Sequence, residues 1–280
     1  MIVRLTGAFL RGLLIALAIL TPSLLLPDVG SDVAQVVVLV ALLAGGFTFI
    51  EYYSQVPSIL EFRFAPPVNR LRYFTMFAMV LLMTVYFSGS SLNSPIATLL
   101  GTLGSLMASA VDFPYSPVRL VILALPAGST AETIAAVRDA AGIAYVVALC
   151  GLVSFGIMVR IYGWPVRHGA FNVWINLPLF DPTGGGDVLA RLKRDSIINV
   201  VLGFLLPFLM PAVVKLAAPL LEMNALTEPH TLIWVMTLWA FLPANLIIRG
   251  VALNRVADII EEKRRRTYAE ARSEESLQTA

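Results

Sequence analysis

The chain has 280 residues, 58% of them hydrophobic and 14% charged, with a mean hydropathy of +0.81. A soluble domain carries nearer a quarter charged residues, so the composition excludes an ordinary soluble domain and calls for lipid as part of the solvent. The net charge of +2 is too small to point to nucleic acid, and the single cysteine, Cys150, excludes an internal disulfide or a thiolate metal cluster.

The first apolar run, residues 12–27, follows Arg4 and Arg11. No small-x-small cleavage site comes after it, so it reads as an uncleaved helix. A short acidic turn (Asp28, Asp32) leads to a second span, 33–50, making a helical hairpin. The polar stretch 51–72, with Pro57, Pro66 and Pro67, reads as a loop. Further spans are expected over 73–87, 140–159, 197–216 and 231–248, each long and apolar enough to cross the hydrocarbon core. Together they form one polytopic membrane domain over 1–262, followed by a basic and then disordered tail over 263–280.

Lysine and arginine placement sets the orientation. With both termini inside, 17 of the 20 basic residues fall on the cytoplasmic face, leaving Arg119, Arg138 and Lys215. The segment 92–139 then lies outside. Within it 95–111 is either re-entrant or on the outer surface, the second being simpler because unpaired backbone in lipid costs several kcal/mol per group. Residues 118–125 are too short to span. Ser129-Thr130-Ala131-Glu132 matches a capping box, so a helix should start near Thr130 and run into the fourth span. The fold class is therefore an all-α integral membrane protein of about six transmembrane helices.

Ionisable residues inside a membrane are costly and usually functional, and the spans hold almost none. Lys215 falls at the outer interface, where it can snorkel. His168 and His230 fall in loops on opposite faces, so neither a haem nor a multi-histidine metal site is expected, and no cofactor is indicated. Asn199, Pro207 and Pro211 in the fifth span, with Pro243 and Asn245 in the sixth, mark kinked helices that either pack or line a solute path. Gly45, Gly46, Gly151 and Gly156 suit close helix contact, and Cys150 suits a small packing position.

The inner loop 163–195 is the most distinctive stretch. Trp164, Phe171, Trp174 and Phe180 suit the headgroup layer. Gly184, Gly185 and Gly186 precede Asp187, which can cap a short helix carrying Arg191, Lys193 and Arg194. With Arg167 and His168 these are candidates to hold a phosphate or lipid headgroup. Asp187-x-x-Ala190-Arg191 resembles the opening of the CDP-alcohol phosphotransferase signature. The second paired aspartate, its glycine and the downstream aspartates are missing, so that activity is not implied. Beyond the last span the helix should continue into the cytoplasm, where Lys263, Arg264, Arg265 and Arg266 suit anionic lipid or an acidic protein partner.

Three functions remain in order. The first is a non-catalytic accessory, assembly or scaffold component of a larger complex in a bacterial inner membrane. The second is a small-solute or lipid permease using spans five and six. The third is an enzyme acting on lipid or an activated phosphate at the inner face, with Asp181, Asp187, His168, Arg167, Arg191 and Arg194 as candidates.

Overall fold

In the computed structural model, residues 2–27, 29–92, 95–165, 171–181, 185–217 and 228–278 are described. They form α1 (Ile2–Leu25), α2 (Ser31–Tyr53), α3 (Val68–Leu92), α4 (Pro95–Val111), α5 (Pro117–Ala124), α6 (Ala131–Arg160), α7 (Val173–Asn176), α8 (Val188–Ala217) and α9 (Pro229–Gln278), with no strand among the described residues. Six of these, α1, α2, α3, α6, α8 and α9, are long and apolar enough to cross a membrane. The protein is an all-α, multi-pass membrane architecture. The helices overrun the expected spans because apolar periodicity fades before caps and prolines stop the chain. The first span is the exception at its far side: α1 stops at Leu25, two residues before Pro27.

Side-chain ties show that successive spans alternate in direction. At one end, Arg4 donates to the Ser54 carbonyl and Lys193 pairs with Glu261. At the other, the Ser88 hydroxyl donates to the Leu25 carbonyl (2.9 Å) and Ser23 meets His230 (3.1 Å). We call these the basic end and the far end. His230 therefore sits in the first turn of α9 against α1 rather than in a free loop.

At the far end α4 packs on α3 and α6. A Cβ on Gly142 would fall 2.3 Å from the Ala108 Cα, so α4 and α6 touch backbone to backbone. The α6 cap differs by one residue from the capping-box expectation: Thr130, not Ser129, accepts from the Thr133 amide (3.1 Å). Lys215 does not merely snorkel. Its ammonium donates to the Leu123 carbonyl (2.7 Å), satisfying an orphan acceptor at the end of α5. Val118 and Val121 of α5 join Val137 and Ala140 of α6 and Ile233 and Met236 of α9 in a far-end core.

Small residues set the helix spacing. Gly12 and Gly45 meet in the α1–α2 hairpin, where a Cβ on Gly12 would lie 2.6 Å from the Gly45 carbonyl oxygen. Gly151 accommodates Thr75 of α3. Gly46 and Gly156 have nothing within 4 Å, and Cys150 is exposed, so those three positions are not the packing contacts the sequence suggests. The most extensive helix interface is α8 on α9: Gly203 faces the Pro243 carbonyl oxygen at 2.6 Å from its would-be Cβ, and Ser196 Oγ donates to the Gly250 carbonyl (2.7 Å).

That interface also absorbs the prolines. Pro211 has no N–H to give the Pro207 carbonyl four residues back. Trp239 Nε1 of α9 donates to that carbonyl instead (3.1 Å). A Gly203→Val substitution is expected to force α8 from α9 and cost about 3 kcal/mol, whereas Gly156→Ala should be close to neutral; thermal unfolding of the two purified variants in detergent measures the difference.

Candidate functional site

Two loops meet at the basic end. Residues 54–67 join α2 to α3, and the second loop, between α6 and α8, carries α7. Asn176 at the end of α7 binds the first loop twice: its carbonyl accepts from the Phe62 amide (2.7 Å) and its Oδ1 from the Phe64 amide (3.0 Å). Trp164 Nε1 donates to the Ala65 carbonyl (3.2 Å). Trp164, 2% exposed, packs edge-on against Phe62 and Phe155. With Phe180, Leu177, Leu192, Ile248 and Leu253 these residues form a second, basic-end core.

This corrects the headgroup reading of the inner aromatics. Trp164 and Phe180 are interior, while Trp174, 62% exposed, keeps the interfacial position. The sequence treats the four aromatics alike because it carries no information about which of them a second loop covers.

Phe62 adopts φ +58°, a left-handed conformation that costs a bulky residue about 1–3 kcal/mol. Its burial and the Asn176 bond hold it there, and the turn aims the preceding Glu61 at α9. Arg249 Nε and Nη2 donate to the two Glu61 carboxylate oxygens at 2.7 and 2.8 Å. Glu61 is only 6% exposed. Arg72 lies within electrostatic reach of both and faces the Phe62 ring at 5.6 Å, with its Nε shielded from solvent and lacking a hydrogen-bond partner. Near the far end, Asp139 is also buried and accepts from the Tyr86 hydroxyl (2.8 Å). Two carboxylates are thus buried just outside the expected spans, where the sequence reading looks for none. Glu61 falls in the polar loop 51–72 and Asp139 in the segment before the fourth span; neither position advertises burial without the fold.

The glycine–arginine stretch assembles in part. Gly185, Gly186, Asp187, Ala190, Arg191 and Arg194 line one open pocket of about 460 Å³. Asp187 caps the 30-residue α8 itself, not a separate short helix, accepting from the Leu189 amide (3.3 Å). Gly185 and Gly186 both take positive φ, which their lack of a side chain permits. The Arg191 guanidinium turns back to the Asp181 and Gly185 carbonyls and covers the Phe180 ring, so it closes the loop. Lys193 points away to Glu261 (2.7 Å), and Arg264 of α9 reaches Asp187 (3.0 Å). Arg194 makes a 3.7 Å contact with its neighbour Asp195. Arg167, His168 and Gly184 lie outside the described residues.

The kink candidates separate. Pro207, Pro243 and Trp239 meet at the α8–α9 contact, while the amides of Asn199 and Asn245 donate to Asp195 and Phe241 carbonyls of their own helices. On α9, Arg265 and Arg266 pair with Glu261 and Glu262 one turn back, and Lys263 is exposed. The helix expected to loosen from residue 273 continues to Gln278.

No protein-family model matches this chain, and no curated protein or solved structure matches it either.

Glu61→Gln is expected to leave Arg249 uncompensated and to cost about 3 kcal/mol, read as a lowered unfolding temperature. The Arg264 guanidinium, with the Leu189 amide, holds the Asp187 carboxyl below its usual range. A depressed folded value stabilises above the unfolded value, near pH 4, and is lost as pH falls through the folded one. Spin labels at Ala190 and Thr267 should therefore keep a constant separation from pH 8 to about 5 and move apart only in strong acid.

Proposed function

We propose that this protein is a non-catalytic component of a larger membrane complex, in a bacterial inner membrane, and that the projecting end of α9 is its docking arm. One observation supports this reading above others: α9 leaves the bundle as an unbroken helix braced at its base. Lys193–Glu261 and Asp187–Arg264 tie it to the start of α8. Beyond these ties residues 262–272 are exposed throughout. The Glu261–Arg265 and Glu262–Arg266 pairs run in the favourable direction along the helix and support it outside the bundle. Lys263, Arg264, Arg265, Arg266 and Tyr268 thus form a held, basic surface suited to an acidic face of a neighbouring membrane protein, with anionic lipid beneath it.

The polar groups that an enzyme or carrier would spend on a substrate favour this reading too. Arg191 and Lys193 are engaged in closing loops and bracing α9. The kinked helices face each other through Gly203 and Pro243, which suits packing better than a solute path.

Deleting the chain after Glu262 tests the idea. The shortened protein should still insert and melt near the wild-type temperature, because the two cores end before that point. Chemical cross-linking in native membranes should give a partner adduct with the full chain and at least about tenfold less with the shortened one. Equal adducts from both, or none from either, would overturn the assignment.

A further inference from the structure

Five arginines gather where α1, the end of α2 and the start of α3 meet: Arg4, Arg11, Arg63, Arg70 and Arg72. Among the described residues none of them has a carboxylate within 4.0 Å. The two acids nearby are already engaged. Glu51 accepts from the amides of Ser58, Ile59 and Leu60 at 3.1–3.3 Å. Glu61 is chelated by Arg249.

Tyr52 is the centre of the group. The Arg11 and Arg63 guanidinium carbons lie 4.6 and 5.7 Å from its ring centroid. Asn69 bonds it, and Arg70 and Arg72 are within electrostatic reach. Arg63 spends its other donors on the Glu51, Tyr52 and Ser54 carbonyls that end α2. Burial, and then repulsion from Arg4, push the Arg63 guanidinium below its usual value, with the Glu51 carboxylate offsetting part of that push. Behind them the buried Nε of Arg72 has no acceptor.

Planar guanidinium forks bind the oxygens of carboxylates and phosphates in pairs, and of these the phosphate is the anion carried by lipid headgroups. The cluster sits at the basic end of α2, where the apolar helix Ser31–Tyr53 ends and headgroups would begin. We propose that the arginine cluster around Tyr52, formed by Arg11, Arg63, Arg70 and Arg72, binds a phosphate group, supplied by an anionic phospholipid of the surrounding bilayer. The site shares no residue with the α9 arm, so it stands or falls separately from the docking role.

The test uses the full chain, delipidated in a neutral detergent, with thermal unfolding followed as phosphatidylglycerol, phosphatidylcholine or inorganic phosphate is added. Phosphatidylglycerol should raise the unfolding temperature saturably, and the other two should not. Arg11→Gln and Arg70→Gln, both at exposed positions, should each weaken the half-saturating lipid concentration about fivefold. A Lys263→Gln, Arg265→Gln, Arg266→Gln triple variant should respond like wild type. Arg72→Gln should abolish the response, and if it fails to fold, the two exposed variants decide. An unchanged lipid response when Arg11→Gln and Arg70→Gln are combined would overturn the site. A shift produced by inorganic phosphate alone and lost in Arg11→Gln would overturn the lipid assignment in favour of a soluble phosphate compound.

Discussion

The bidentate pair between Glu61 and Arg249 closes the basic end of this molecule, and the rest of that end depends on it. A carboxylate this buried is tolerated because both its oxygens are met by one planar fork. To bring it there, the first loop adopts a left-handed turn at Phe62, and Asn176 of the second loop fixes that turn. The Trp164 cluster then fills the space between the loops and α9. Electrostatics, strain and packing therefore converge on one small region, and the loops behave as part of the core rather than as connections over it.

Within the bilayer the helices associate by a different rule. Lipid offers no hydrophobic drive between spans, so close approach and polar ties decide which helices touch. Gly12 with Gly45, Gly142 with Ala108, and Gly203 with Pro243 are the positions where a missing side chain lets backbones meet. The Trp239 bond to Pro207 turns a helix defect into a cross-link. Such neutral hydrogen bonds contribute about 1 kcal/mol each in membranes; their larger effect is to fix rotation and register between α8 and α9.

The number of spans, the alternating ends, the non-spanning apolar run before Pro126 and the extension of the last helix were all readable from hydropathy, basic residues and prolines. These signals are local, and each is strong within a window of about 20 residues. What escaped was relational. Glu61 and Arg249 are 188 positions apart. Gly151 and Gly156 look alike until Thr75 lies against one of them. Trp164 and Trp174 share a composition but not a depth. The glycine–arginine stretch was visible as a unit, yet its ties run to α9: Lys193 pairs with Glu261, and its cap Asp187 pairs with Arg264. Arg70 and Arg72 counted only toward orientation, since nothing nearby in the chain reveals that Tyr52 collects them.

Helix α9 touches α1, α3, α6 and α8, and it follows all of them in the chain. During synthesis Glu61 reaches the membrane surface long before Arg249 exists to meet it. The indole that caps the Pro207 carbonyl is likewise made after the helix it repairs. The earlier spans must therefore wait in the bilayer with a charge and a carbonyl unmatched, held mainly by the α1–α2 hairpin and the α3–α4–α6 group. Insertion of α9 is then the step that gives Glu61 and the Pro207 carbonyl their partners and turns a loose set of spans into a packed bundle.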